Sequence, residues 1–298
     1  MLNALRSAAA ALGLALHERA LILHADDVGM CHATIPAFIE LAESGSISSA
    51  SVMVPCPWFG EVARYCKTNA SVDMGVHLTL TSEWTGYRWA PISTVDVSSG
   101  LIDAQGFFHS RRIQALEHAC PEAAFAEMRA QLTRARAAGV DVTHLDAHMF
   151  TALRPPLTEA YLRLGIEEAL PALAWHGDAG GMETIPEVSA AIRRAEARGL
   201  LALDRVELLP TGEPERREEQ FRAAVDGLPP GLTHLLIHPA IDTPELRQIV
   251  PAWRERVADY EFFRGKSAVE YLERAGVRLV GYRVLRDALR RPGTTAGA

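Results

Sequence analysis

Short apolar runs rich in β-branched residues alternate with Ala-, Glu- and Arg-rich stretches of helical length along most of the chain. This alternation constrains the fold more than any other feature. A helix between two strands returns the chain to the same end of the sheet, so repeated strand–helix units dictate a parallel sheet. Strands are expected at 20–24, 47–54, 72–78, 141–145, 170–174, 201–208, 232–237 and 277–281. Helices are expected at 33–43, 58–67, 121–138, 157–168 and 187–198. In the third of these, Phe125, Met128 and Leu132 recur at helical spacing and Gly139 supplies the stop. Seven or eight such units predict an α/β fold in which the strands form a (β/α) barrel, distorted or incompletely closed. A doubly wound open sheet is the alternative, but the chain has no GxGxxG phosphate turn to support one.

Residues 80–121 interrupt the pattern with a long connection rich in Trp, Tyr, Gly, Ser and Pro. Connections of that length inside a compact domain are usually functional, so this one reads as a lid inserted into a single domain spanning 1–298. The first 16 residues carry one Arg and an Ala/Leu-rich stretch, but His17-Glu18-Arg19 stand where a leader's cleavage site needs small residues. An amphipathic leading helix is the expectation. No apolar run reaches the roughly 18 residues of a membrane span.

A net charge of −7 argues against nucleic acid as a partner, because phosphate contacts need clustered Lys and Arg. The basic pairs Arg111-Arg112, Arg193-Arg194 and Arg216-Arg217 read as solvated helix faces. Four cysteines without a CxxC pair fit reduced thiols and a cytoplasmic protein. The sequence also admits a homodimer.

Four strand ends carry ligand-capable side chains. The first reads His24-Ala25-Asp26-Asp27-Val28-Gly29, the third Gly75-Val76-His77-Leu78-Thr79, the fourth His144-Leu145-Asp146-Ala147-His148, and a late strand runs into His238-Pro239. In a parallel barrel all strand C-termini lie on one face, so these residues converge. Each has a bland reading alone: a turn or helix cap for the Asp pair, a hydrogen-bonded core histidine for His77, a strand stop for His238. Their joint placement favours a site. Two adjacent buried carboxylates repel, whereas a divalent cation stabilises one and leaves the other as an anionic base. Two His and one carboxylate with open positions is a common catalytic set for zinc and suits other divalent ions. His24 shares a side of its strand with Asp26, so both His24 and His144 read as residues orienting the ligands. His17, His32, His109, His118, His176 and His234 lack strand-end placement and read as solvated or structural.

The segments HADDVGM, GVHLTLT, THLDAHMF and LIHPA, in this order and spacing, resemble the YdjC-like carbohydrate deacetylases, which include chitooligosaccharide deacetylase and HpnK-like proteins. The resemblance extends over residues 20–282. It implies a TIM-barrel-like fold and metal-dependent removal of acetyl groups from N-acetylated sugars. It implies that Asp27, His77 and His148 hold the metal, that Asp26 is the catalytic base, and that His238 is the acid or oxyanion-side histidine. Asp146, between His144 and His148, joins the residues behind the ligands. Zinc or magnesium is the expected ion, with manganese, cobalt or nickel as alternatives. The substrate is expected to be a small N-acetylated sugar or glycoconjugate, with Trp84, Tyr87 and Trp89 stacking on sugar faces and Arg88 meeting polar groups.

The chain departs from the family pattern in three places. HxDSHHH is shortened to HLDAHMF, His-Pro-Ala replaces His-Pro-Gly, and residues 82–89 differ from the chitooligosaccharide enzymes, which suggests a different acceptor. Two other functions fit the same residues: another metal-dependent barrel enzyme, such as a non-sugar amidohydrolase or an aldolase, and a non-catalytic sugar-binding protein.

Overall fold

The computed structural model describes residues 7–176 and 185–291. Seven strands form one sheet: β1 (Arg19–Val28), β2 (Ser49–Val52), β3 (Met74–Leu78), β4 (Val142–Ala147), β5 (Arg205–Leu208), β6 (Gly231–Ile237) and β7 (Val277–Leu279). Their order is β4-β3-β2-β1-β6-β5, all pairs are parallel, and β7 adds to the start of β1. The parallel α/β architecture expected from the alternation is therefore present.

The expected strand at 170–174 is reduced to isolated bridges. Ala172 bridges Leu145 of β4, and Trp175 bridges Leu203 just ahead of β5. Backbone hydrogen bonds from Leu145 N to Pro171 O and from Leu203 N to Ala174 O span the same gap. Pro171 lacks an N–H, which keeps this segment from sustaining a regular ladder. The strand expected at 201–208 is shortened at its start to Arg205–Leu208.

Alternate residues of β1 divide between two cores. Leu21, Leu23 and Ala25 pack with Phe38 and Leu41 of the helix Thr34–Glu43. Ala20 and Ile22 pack with Leu173, Val206, Leu232 and Leu236 of the neighbouring strands and segments. This is the period of two expected when both faces of a parallel strand are covered, and His24 and Asp26 continue the inner row. Full burial of each such aliphatic side chain contributes roughly 1.5–3 kcal/mol.

The helix Pro121–Ala137 opens with Pro at its first turn and Glu122 beside it, ends with Arg134 and Arg136, and buries Phe125, Met128 and Leu132. It also fixes the start of the long connection. Gln131 accepts from Thr79 N at 3.0 Å, and the Glu127 carboxylate accepts from Ser93 N at 2.8 Å. The connection carries only a 3-10 turn at Val97–Ser99 and the short helix Arg112–His118. The leading helix is shorter than expected, Ala8–Ala11, and residues 1–6 of the expected segment lie outside the described residues. All four cysteines are free, and no described helix is long and apolar enough to cross a membrane.

Candidate metal centre

β1 runs on to Val28, four residues past the expected end, so Asp26 and Asp27 lie within the strand. Neighbours on a regular strand face opposite sides. Here Asp27 adopts φ +61°, the register against β2 shifts between Ala25 and Val28, and Gly29 follows at φ +84°. The left-handed turn is one Asp tolerates better than most residues, and it brings both carboxylates to the same histidine. His77 Nε2 lies 3.2 Å from Asp27 Oδ1 and 4.0 Å from Asp26 Oδ2.

His77 and Asp146 are register partners on β3 and β4, and His77 Nδ1 donates to Asp146 Oδ1 at 2.9 Å. The other Asp146 oxygen accepts from Ser51 Oγ at 2.7 Å and lies 3.0 Å from His24 Nε2. His24 Nε2 also lies 3.2 Å from Asp26 Oδ1, and its Nδ1 meets Ser49 Oγ at 2.5 Å. Past β4, Met149 and Phe150 take φ +53° and +54° and turn the chain sharply at His148. His148 Nδ1 lies 3.0 Å from Asp27 Oδ1, while its Nε2 faces the Glu83 carboxylate at 3.0 and 3.2 Å. Arg256, from the helix Trp253–Phe263, donates to Asp27 Oδ2 at 2.6 Å.

These groups are buried, so their charges are set by one another. Burial opposes charge on His148, but Glu83 and Asp27 outweigh it and raise its pKa to about 9. Burial likewise opposes charge on His24, but Asp146 and Asp26 raise it to about 9. His77 is raised well above the ordinary value because Asp146 and Asp26 outweigh its burial. Burial works against ionised Asp27, yet Arg256 and His148 hold it well below the carboxylate range. His144 and His234 go the other way: burial, reinforced by charge on His24, pushes both well below the ordinary histidine value.

Asp27, His77 and His148 each offer one ligand atom, and the three atoms lie within 4.8 Å of one another. A buried carboxylate and two imidazoles match the donor chemistry of a divalent ion. Three overlapping groups bring donors equally close: His24 with Asp26 and His234, His24 with His144 and Asp146, and Asp26 with His77 and Asp146. Each uses His24 or Asp146, whose polar atoms are already engaged by Ser49, Ser51 and His77. The Asp27 set has partners of its own, Arg256 on Asp27, Glu83 on His148 and Asp146 on His77.

His238 stands at the end of β6, its Nε2 3.9 Å from Asp26 Oδ2 and its backbone N–H bonded to Asp259 Oδ2 at 2.8 Å. Its side chain is 37% exposed, and burial of the rest, opposed in part by Asp27, lowers its pKa. His238 and Arg256 form a wall of a cleft of about 310 Å³ that also includes Trp84, Leu236, Val250 and Asp259. Of the four loop residues expected at the substrate, Trp84 lines this cleft. The other three are engaged elsewhere. Trp89 is buried with its Nε1 bonded to Thr81 O, Tyr87 donates to Met30 O at 2.7 Å, and Arg88 pairs with Asp103 at 2.7 Å.

Of the three residues expected to orient the ligands, Asp146 bonds His77, and His24 reaches Asp146 and Asp26. His144 stacks on Tyr282 with ring centroids 3.9 Å apart, and His24 meets its ring edge-on at 5.0 Å. Sequence reasoning missed Glu83 and Arg256. Glu83 is the one acid in the stretch 82–89 of an aromatic-rich connection. Arg256 sits in WRERVADY, which has the look of a solvated helix face and gives no signal of burial.

The profile of the YdjC-like protein family matches residues 20–274. A carbohydrate deacetylase of Thermus thermophilus is 36% identical over 246 residues, covering 82% of this chain and 85% of the relative. A chitooligosaccharide deacetylase of Yersinia enterocolitica is 30% identical over 161 residues, covering 52% of this chain and 58% of the relative. The crystal structure of a putative cellobiose-phosphate cleavage protein from Enterococcus faecalis superposes with a TM-score of 0.76 at 23% identity, covering 90% of this chain and 99% of that one. That likeness is one of fold.

Proposed function

The chain belongs to the family of YdjC-like proteins, and on that premise we propose that it is a metal-dependent carbohydrate deacetylase. The observation that carries the reading is the convergence of Asp27, His77 and His148 within 4.8 Å, with Asp26 beside them and a cleft walled by His238 and Trp84. The names of the Thermus and Yersinia relatives point to an N-acetylated sugar or glycoconjugate as substrate.

In this reading Asp27, His77 and His148 hold a divalent ion, zinc or magnesium in the first instance. Such an ion, when bound, would supply Lewis-acid chemistry, polarising an amide carbonyl and lowering the pKa of a water. Asp26 takes the proton that this water loses as it attacks the acetyl carbon. His77 and Arg256 keep Asp27 oriented away from that role. His238, neutral at pH 7 because its pKa is lowered, offers an N–H to the developing oxyanion. Asp26 then gives the water's proton to the leaving nitrogen. The C–N bond breaks, and acetate and a free amine leave. Trp84 supplies an aromatic face to the sugar ring.

The test is acetate release from N-acetyl sugars, oligosaccharides and glycolipids, each with Zn, Mg, Mn, Co or Ni added to metal-stripped protein. Acetate release that needs both an N-acetylated sugar and a divalent ion supports the reading. Stoichiometric metal with no turnover across the panel would sink it.

A further inference from the structure

We propose that Glu83 is a positioning residue for His148, and that it makes the long connection between β3 and β4 part of the metal centre. The inference rests on the reading that Asp27, His77 and His148 hold the ion.

Each ring nitrogen of His148 faces a carboxylate: Nδ1 faces Asp27 and Nε2 faces Glu83. A proton on Nδ1 is the one a cation beside Asp27 displaces. The proton on Nε2 stays, because the Glu83 carboxylate accepts it with both oxygens within 3.2 Å. Glu83 thereby fixes the tautomer, leaves the Nδ1 lone pair pointing toward Asp27, and makes that nitrogen more basic. His77 has the same support from the opposite side, with Nδ1 on Asp146 and Nε2 toward Asp27. The two supports differ in origin. Asp146 is part of the sheet, whereas Glu83 comes from the connection.

The segment around Glu83 touches the site at further points. Trp89 packs edge-on to His148 at 6.2 Å, Arg256 lies 6.0 Å from the Trp84 ring while bonded to Asp27, and Tyr87 bonds Met30 O. The same residues bear on two proposed ligands and on the cleft. Ion binding and seating of this segment are therefore linked, and linkage is reciprocal.

The experiment titrates Zn²⁺ alone into metal-stripped full-length protein against a chromophoric chelator, with limited proteolysis of the 82–110 segment as a second readout. Asp27→Ala is the reference that loses the ion. Glu83→Ala is expected to bind about 10–100-fold more weakly than wild type. Glu83→Gln, which keeps an acceptor but not the charge, falls between them. Zn²⁺ slows cleavage of the segment in wild type and fails to do so in Glu83→Ala even at saturation. If Glu83→Ala does not fold, Glu83→Gln carries the comparison. Wild-type affinity in the Glu83 variants, with Asp27→Ala unable to bind, overturns this inference alone. Equal binding by wild type and Asp27→Ala overturns the metal-site reading and this inference with it.

Discussion

His77 and Asp146 are register partners on adjacent parallel strands, and the 2.9 Å bond from His77 Nδ1 to Asp146 Oδ1 leaves Nε2 facing Asp27. The sheet itself therefore aims this imidazole. Asp146→Asn removes the charge that His24 and His77 share. Chelator competition should show metal affinity weakened by about 10–100-fold, and denaturant unfolding should show a loss of about 1–3 kcal/mol.

The adjacent carboxylates should separate by role. Asp27→Ala and His148→Ala should each abolish stoichiometric metal measured by elemental analysis. Asp26→Asn should retain the metal and lose about 10²–10⁴-fold in acetate release, the range of a missing general base. A wild-type rate from Asp26→Asn would remove it from the mechanism.

Metal binding and stability should respond to pH in opposite directions. His148, with its pKa raised to about 9, holds its proton more tightly in the folded chain than at the unfolded value of about 6.5. The stability this gives metal-stripped protein is complete below about 6.5 and is lost as pH rises through about 9. Over the same window Zn²⁺ affinity should rise, because fewer protons compete for the ring. Denaturant titrations and Zn²⁺ titrations at several pH values read the two slopes.

Gly75 is required by close packing. A Cβ there would fall 2.4 Å from His144 Nε2, and that ring is stacked against Tyr282. Gly75→Ala should cost about 1–3 kcal/mol in denaturant unfolding, the usual range for overpacking a filled interior.

Trp84 is the aromatic of the long connection that lines the cleft. Trp84→Ala should raise KM for an N-acetylated sugar a few-fold to about tenfold, the loss of one aromatic contact, with kcat little changed. Steady-state kinetics of acetate release separate this from a catalytic defect.

Much of the architecture was legible because strand–helix alternation is a local pattern. It specified the parallel sheet, five of the helices around it and the long connection after β3, but none of the helices beyond residue 198. His77, Asp146 and His148 were legible as candidates for the same reason, since strand ends of a parallel sheet share one face. The segment 170–174 was misread as a full strand because its apolar residues masked Pro171, which has no N–H to sustain a ladder.

Distance in sequence set the limit for the rest. Arg256 is 229 residues from Asp27, and Glu83 is 65 from His148, so no periodicity joins them. Tertiary folding also decided how two adjacent carboxylates meet one histidine. On a regular strand Asp26 and Asp27 point apart, and the left-handed φ of Asp27, with the register shift against β2, turns both toward His77. The sequence by itself determined which residue types reach the ends of the strands. Only the packed structure decided which of them share a pocket, because that depends on backbone geometry and on partners far along the chain.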